Sequence, residues 1–234
     1  MTAPATLAVK TGRLAPLILP GVIVGAITIG IGAQAKPKSR LFPSQDLGLL
    51  EAPDRDQWQK PDLIMDDLSI ADGAVVADLG AAGGWFTVRL AHRVGPNGLV
   101  YAEDIQPQMI EAIRRRLQNE RLPNVVPILG TPKDPRLPGG IDAMLIEDAY
   151  PEMEDPVTLL KNAAASLKPQ GRIGIVDFNP GSSGPGPDPD ERVDPEAVIK
   201  AATAAGLRLI TRDAVPPFQY LLVFGKSGSP HLSS

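Results

Sequence analysis

At 234 residues and 43% hydrophobic content, the chain suits one medium-sized domain with a real core plus an extra segment better than two full domains. A formal net charge of −4 gives no electrostatic support for gripping a phosphate backbone, so nucleic acid is not an expected partner. The absence of cysteine excludes disulfides, thiolate metal sites and a lipidated cysteine. With only His92 and His231 a histidine-rich metal centre cannot be built either, and no metal site is expected.

Residues 14–33 run for 20 positions without a charge, follow Lys10 and Arg13, and end at Ala33-Gln34-Ala35, the small-x-small pattern of a signal-peptidase site. Two readings of residues 1–35 stand open: a cleaved export signal, or an uncleaved anchor that contacts the membrane through residues 14–33. Pro16, Pro20, Gly21 and Gly25 would break a buried soluble helix here. The expected location is therefore periplasmic, exported or membrane-anchored. Lys36, Lys38 and Arg40 nearly balance the basic residues ahead of the run, which leaves the side of the membrane open. Residues 36–57, rich in proline and charge, read as a linker, 58–226 as the folded domain and 227–234 as a flexible tail.

Strand and helix patterns then alternate. Residues 74–79 form a short apolar run interrupted by Asp78 and read as a buried strand; 84–94 place Trp85, Val88 and Ala91 at helical spacing. A second strand is expected at 99–102. A helix over 107–117 turns Met109, Ile110, Ile113 and Leu117 inward, with Arg114 to Arg116 as a solvated face. Strands follow at 125–129 and 143–146, then a helix over 156–167 with Asp155 as N-cap and Pro156 at N1. A fifth strand covers 172–177. Asp194-Pro195-Glu196 opens a last helix that stops at Gly206, and two closing strands lie at 207–211 and 220–224. Residues 179–194, rich in Gly, Pro and Asp, read as a lid or a surface loop. Trp58 and Trp85 read as core or lid residues. Repeated βα units imply a mainly parallel sheet with helices on both faces and a ligand crevice beyond the carboxyl ends of the strands.

Three features converge on those ends. A strand runs through Asp78 into Gly80-Ala81-Ala82-Gly83-Gly84 and then a helix; Asp104 ends the second strand; Glu147-Asp148-Ala149-Tyr150 follows the fourth. Glycines permit positive φ and close passage of a ligand, and a carboxylate at Asp104 can accept hydrogen bonds from both hydroxyls of a ribose. A dinucleotide site is disfavoured twice. The spacing is Gly-x-x-Gly-Gly, not Gly-x-Gly-x-x-Gly, and Asp78 would repel a pyrophosphate.

The segment 76–87, Val-Ala-Asp-Leu-Gly-Ala-Ala-Gly-Gly-Trp-Phe-Thr, resembles motif I of the class I S-adenosylmethionine-dependent methyltransferases. Residues 100–105, 141–148 and 167–172 resemble the family's later motifs in order, and the likeness spans about residues 55 to 225, broadly in the manner of bacterial small-molecule methyltransferases such as the ubiquinone/menaquinone C-methyltransferase relatives. The resemblance implies a Rossmann-like α/β sandwich with a seven-stranded, mostly parallel sheet whose last strand is antiparallel. It implies S-adenosylmethionine as cofactor. Asp78, Gly80, Ala81, Gly83 and Gly84 would hold its methionine end, Asp104 with Ile105 its ribose, and Asp134 its adenine, with Asp148 beside the sulfonium. Asp148 and Tyr150 are the candidate general bases, with Glu147 behind them. The family pattern is broken at Ala82, where a second glycine is usual, at Ala149 and Pro151, and at Gln170. The expected activity is methyl transfer to a small-molecule acceptor. The alternatives are a ligand-binding protein on the methyltransferase fold without turnover, and an RNA 2′-O-methyltransferase, whose turn Gly80-Ala81-Ala82 and Gly83-Gly84-Trp85 resemble.

Overall fold

The computed structural model describes residues 1–2, 41–214 and 217–228. The apolar run at 14–33, Ala33-Gln34-Ala35, most of the 227–234 tail and His231 lie outside the described residues. Among the described residues no helix is long and apolar enough to cross a membrane.

Seven strands form one sheet: β1 (Val75–Leu79), β2 (Leu99–Asp104), β3 (Val125–Leu129), β4 (Ile141–Glu147), β5 (Leu167–Phe178), β6 (Leu207–Asp213) and β7 (Gln219–Lys226), in the spatial order β3-β2-β1-β4-β5-β7-β6. Strands β1 to β5 pair in parallel, and β7 runs antiparallel to both β5 and β6. The Rossmann-like α/β arrangement with an antiparallel last strand is thus the observed one. Its helices are α1 (Arg55–Gln59), α2 (Pro61–Asp67), α3 (Trp85–Val94), α4 (Pro107–Glu120), α5 (Pro156–Ser166) and α6 (Pro195–Ala204).

Both faces of the sheet are covered, so its central strands are apolar on both sides. Val76, Val100, Leu145, Val176 and Leu221 join one core with Leu90 and Ile113. Their neighbours Ala77, Met144, Ile146, Ile175 and Leu222 join the opposite core with Leu160 and Val198. Asp155 accepts from the Thr158 N–H at 3.1 Å and Asp194 from the Glu196 N–H at 2.8 Å, which fixes the starts of α5 and α6 as their N-caps require. Gln170 does not adopt the left-handed conformation and is accommodated within β5.

Two differences from the expected elements matter for the site. Strand β2 continues past Ala102 through Glu103 and Asp104, which pair with Ile128 and Leu129 of β3. Hydropathy ends the strand early because these two buried acids carry no apolar signal. The second concerns the stretch ahead of residue 58. It contains a 3-10 turn (Ser44–Leu50) and α1, and it crosses the carboxyl ends of the strands as a strap. By contrast, residues 179–194 lie away from the crevice. There the Arg192 guanidinium donates to the carbonyls of Asn179, Ser182 and Pro187 and holds the loop beside the Phe178 ring. Trp58 packs against Phe178 and Phe218, with ring centroids 6.0 and 6.4 Å away.

Candidate functional site

A crevice of about 200 Å³ opens at the carboxyl ends of β1, β2 and β4. Its floor is the glycine-rich turn after β1. The Gly80 and Ala81 N–H groups both donate to the Glu103 carbonyl at 2.9 Å, which ties the turn to β2. Gly80 has φ 73°, and a Cβ built there would lie 2.4 Å from the Ala149 Cβ. Glycine is therefore required twice over, by conformation and by the close approach of the loop after β4. Ala82 takes up φ 47°, the left-handed region, at a cost of about 1 kcal/mol for a residue with a Cβ. In return its N–H donates to Asp104 Oδ2 at 3.0 Å. The alanine thus does not break the turn; it holds it in a strained form.

Asp78 is 2% exposed and accepts from Thr87 Oγ1 at 2.6 Å. Burial, only partly opposed by that hydrogen bond, pushes its carboxyl up to about 7. Asp104 accepts from Ala82 N–H on one oxygen and from Gln106 N–H, at 2.8 Å, on the other. Each oxygen keeps a further lone pair for a ligand. Burial raises this carboxyl as well, against the pull of those backbone N–H groups. Ile105, Met109 and Leu159 supply the apolar wall beside it. Asp134 does not reach the crevice: it is exposed, its carboxylate accepts from the Arg136 N–H at 2.8 Å, and Pro132 takes the place at the rim. The tight turn closed between Thr131 and Asp134 rotates the acid outward.

The other half of the crevice is built around Glu147 and Asp148. Arg55 of α1, itself 5% exposed, donates to Glu147 Oε2 at 2.6 Å and to the Leu50 carbonyl at 2.7 Å, and its guanidinium stands 4.1 Å from the Trp85 ring centroid. Its Nε donates to Gln59 Oε1 at 3.3 Å. Gln59 then donates to Gln219 Oε1, and Gln219 to Asp148 Oδ1, each at 2.6 Å. This chain joins α1, the closing strand β7 and the loop after β4. Asp148 has φ 53°, and its carboxyl is raised well above the ordinary range by burial and by Glu147 beside it. Tyr150 is placed differently from the expectation that it faces the crevice. It is 6% exposed inside the core on the α5 side and does not line the crevice, because the 3-10 turn Tyr150–Glu152 rotates the ring inward. Burial pushes its phenol up to about 12.

The strap closes the mouth. Phe42 N–H donates to Glu152 Oε2 and Gln106 Nε2 donates to the Phe42 carbonyl, both at 3.0 Å, while Leu47 lies over Gly83. Glu51 pairs with Arg116, so only Arg114 and Arg115 remain the solvated face expected of all three arginines. Sequence reasoning missed Arg55, Gln59, Gln219 and Glu152. The first three are polar residues that become buried only through contacts between distant segments. Glu103 was also missed, although an acidic doublet in an apolar strand was a readable signal. It is 4% exposed, its Oε1 has no hydrogen-bond partner among the described residues, and burial pushes it up to about 8.

The lining as a whole is acidic, with Arg55 as its one cation among the described residues. That suits a ligand carrying positive charge and ribose hydroxyls, as S-adenosylmethionine does. Comparison with known proteins agrees. The sequence profile of a methyltransferase-domain family matches residues 70–205, more than half of the chain. A fibrillarin-like rRNA/tRNA 2′-O-methyltransferase of Pyrobaculum aerophilum is 33% identical over 114 residues, which cover 46% of each chain. An uncharacterized methyltransferase of Mycobacterium tuberculosis is 37% identical over 103 residues, 43% of this chain and 38% of that one. The chain spans less than half the length of these curated relatives. Among solved structures, a SAM-dependent methyltransferase from Aquifex aeolicus superposes with a TM-score of 0.75 at 23% identity, covering 78% of this chain and 98% of that one.

Proposed function

This chain belongs to the methyltransferase-domain family, and from that premise we propose that it transfers a methyl group from S-adenosylmethionine to a small-molecule acceptor. The observation that carries the reading is the placement of Asp78 and Asp104 on either side of the glycine turn, in a crevice lined by carboxyls. When bound, the donor supplies an electrophilic methyl carbon on a sulfonium. Asp104 would accept from the ribose hydroxyls, Asp78 would face the methionine ammonium, and Ile105 would pack beside the nucleoside. Glu147 and Asp148 stand at the acceptor end. Positioning supplies most of the rate, because a sulfonium needs little acid or base help toward a reactive nucleophile.

Calorimetric titration of the chain with S-adenosylmethionine and S-adenosylhomocysteine tests this. Binding at micromolar concentration is expected, and no binding at high micromolar concentration of either would leave the fold as a non-catalytic scaffold. The likeness to fibrillarin-like enzymes favours a second reading, an RNA 2′-O-methyltransferase. The acidic crevice and the net charge of −4 weigh against it. The uncharged run at 14–33 supports a location at or beyond a membrane; N-terminal sequencing of the mature chain from membrane and soluble fractions tells a cleaved signal from an anchor.

A further inference from the structure

We propose that the methyl acceptor is a primary or secondary amine, received as an ammonium ion at Glu147 and Asp148, with Asp148 taking its proton. The proposal rests on the methyl-transfer reading above and names the substrate class for that site.

Two observations carry it. The Glu147 side chain is 9% exposed and lines the crevice; one of its oxygens is held by Arg55, the other, Oε1, receives no N–H donor among the described residues, and the Asp148 carboxyl lies within hydrogen-bond reach of the Glu147 carboxyl. A buried acceptor atom in that state calls for a donor. Asp148 is the more open member of the pair, with its side chain 23% exposed; Gln219 holds Oδ1, and Oδ2 stands 4.0 Å from Arg55. The chemistry of the surroundings then selects the donor. Arg55 is already engaged by Glu147, Leu50 and Gln59, and the rest of the ionisable lining is acidic, including Asp78, Asp104 and Glu152. A phosphate or carboxylate on the acceptor would meet repulsion there. A phenol brings one donor and no charge. An ammonium brings several N–H donors and the charge that the lining lacks.

The step balances without an added reactant. One ammonium proton moves to the Asp148 carboxylate. The freed nitrogen lone pair forms the N–C bond as the S–C bond breaks, and that electron pair stays on sulfur. The product leaves as a methylated ammonium and Asp148 releases its proton to water. Asp148 is faced by Glu147 of β4, Asp177 of β5, Arg55 of α1, and Gln219 and Tyr220 of β7. Burial raises its carboxyl most, Glu147 (by its charge and by a side-chain hydrogen bond) and Asp177 add to that, and Arg55 opposes them. The ionised base therefore gains population as pH rises, and the rate rises with it.

The test uses the full-length chain with methyl-tritiated S-adenosylmethionine and three acceptor pools: small aliphatic amines, small phenols, and total RNA. Label is expected in the amines. Label in phenols or RNA without label in amines overturns the proposal. No label in any pool, with S-adenosylhomocysteine bound in calorimetry, overturns it while the donor reading stands; loss of donor binding as well would overturn both. Inhibition of the unmutated protein supplies a measurement free of folding effects. A small amidinium, which carries charge and N–H donors but is a poor nucleophile, is expected to compete with the amine at least tenfold more tightly than its neutral amide isostere, and equal competition overturns the proposal. Asp148→Asn is expected to lower kcat/KM for the amine at least 100-fold and to flatten the pH profile. An unchanged profile overturns the role given to Asp148.

Discussion

The two halves of the crevice are assembled in different ways. The half proposed to hold the donor joins Asp78, the turn from Gly80 to Gly84, and Asp104 at the end of the adjacent strand, 22 positions from Ala82, largely by backbone N–H groups. The half proposed to receive the acceptor is made of side chains from distant segments. Arg55 reaches Glu147 across 92 positions and Gln59 reaches Gln219 across 160. A site built from backbone and adjacent residues survives most changes around it, whereas one built from a relay of buried side chains depends on every member. In the proposed reading the difference also separates roles, since the donor would lie in a fixed cradle and the acceptor end would be set by the strap that delivers Arg55.

Substitutions can break this comparison or sharpen it. The largest effect is expected at Arg55: Arg55→Met leaves Glu147 buried without its cation and should destabilise the fold by about 3–5 kcal/mol. Urea denaturation measures this, and a loss below 1 kcal/mol would mean that the relay is not what holds the acceptor half together. Asp104→Ala should weaken S-adenosylhomocysteine by about 100-fold, or ~3 kcal/mol, with a smaller effect on stability, since it removes a ligand group and two turn hydrogen bonds at once. Gln219→Leu strands Asp148 and Gln59 together and should cost about 2 kcal/mol in the same denaturation assay, leaving donor affinity unchanged.

Proton linkage affects both halves. Asp78 and Asp177 are pushed up to about 7, Glu152 to about 7 and Glu103 to about 8, all above their unfolded values and each mainly by burial. A raised carboxyl contributes its stability fully below the unfolded value near 4 and loses it as pH climbs through the folded one. The melting temperature should therefore fall between pH 5 and pH 8.5. Glu103→Val should raise stability at pH 8 by about 2 kcal/mol and flatten that slope, since it replaces a buried acid that lacks a full set of partners. A melting profile that rises over this range would contradict the burial of these groups. The smallest effect belongs to Ala82→Gly, which relieves a left-handed alanine but adds freedom to the unfolded chain, a net gain of at most about 0.5 kcal/mol.

By itself, the sequence determined the fold and the meeting of Asp78, the glycine turn and Asp104 at the strand ends. Alternating apolar runs, the N-caps Asp155 and Asp194, and the Asp78–Gly84 turn are local patterns, and a mainly parallel sheet follows from them because strand, helix and turn chemistry act between near neighbours. Tertiary structure alone decided the rest. It turned Tyr150 into the core and Asp134 out to solvent, and it drew residues 42–59 over the crevice to place Arg55 on Glu147. The orientation of a side chain after a strand end is set by the turn it enters. A contact across 92 or 160 positions leaves no periodicity behind. Burial of a polar residue is a property of what packs against it, and for Arg55, Gln59 and Gln219 that partner exists only once the chain has closed on itself.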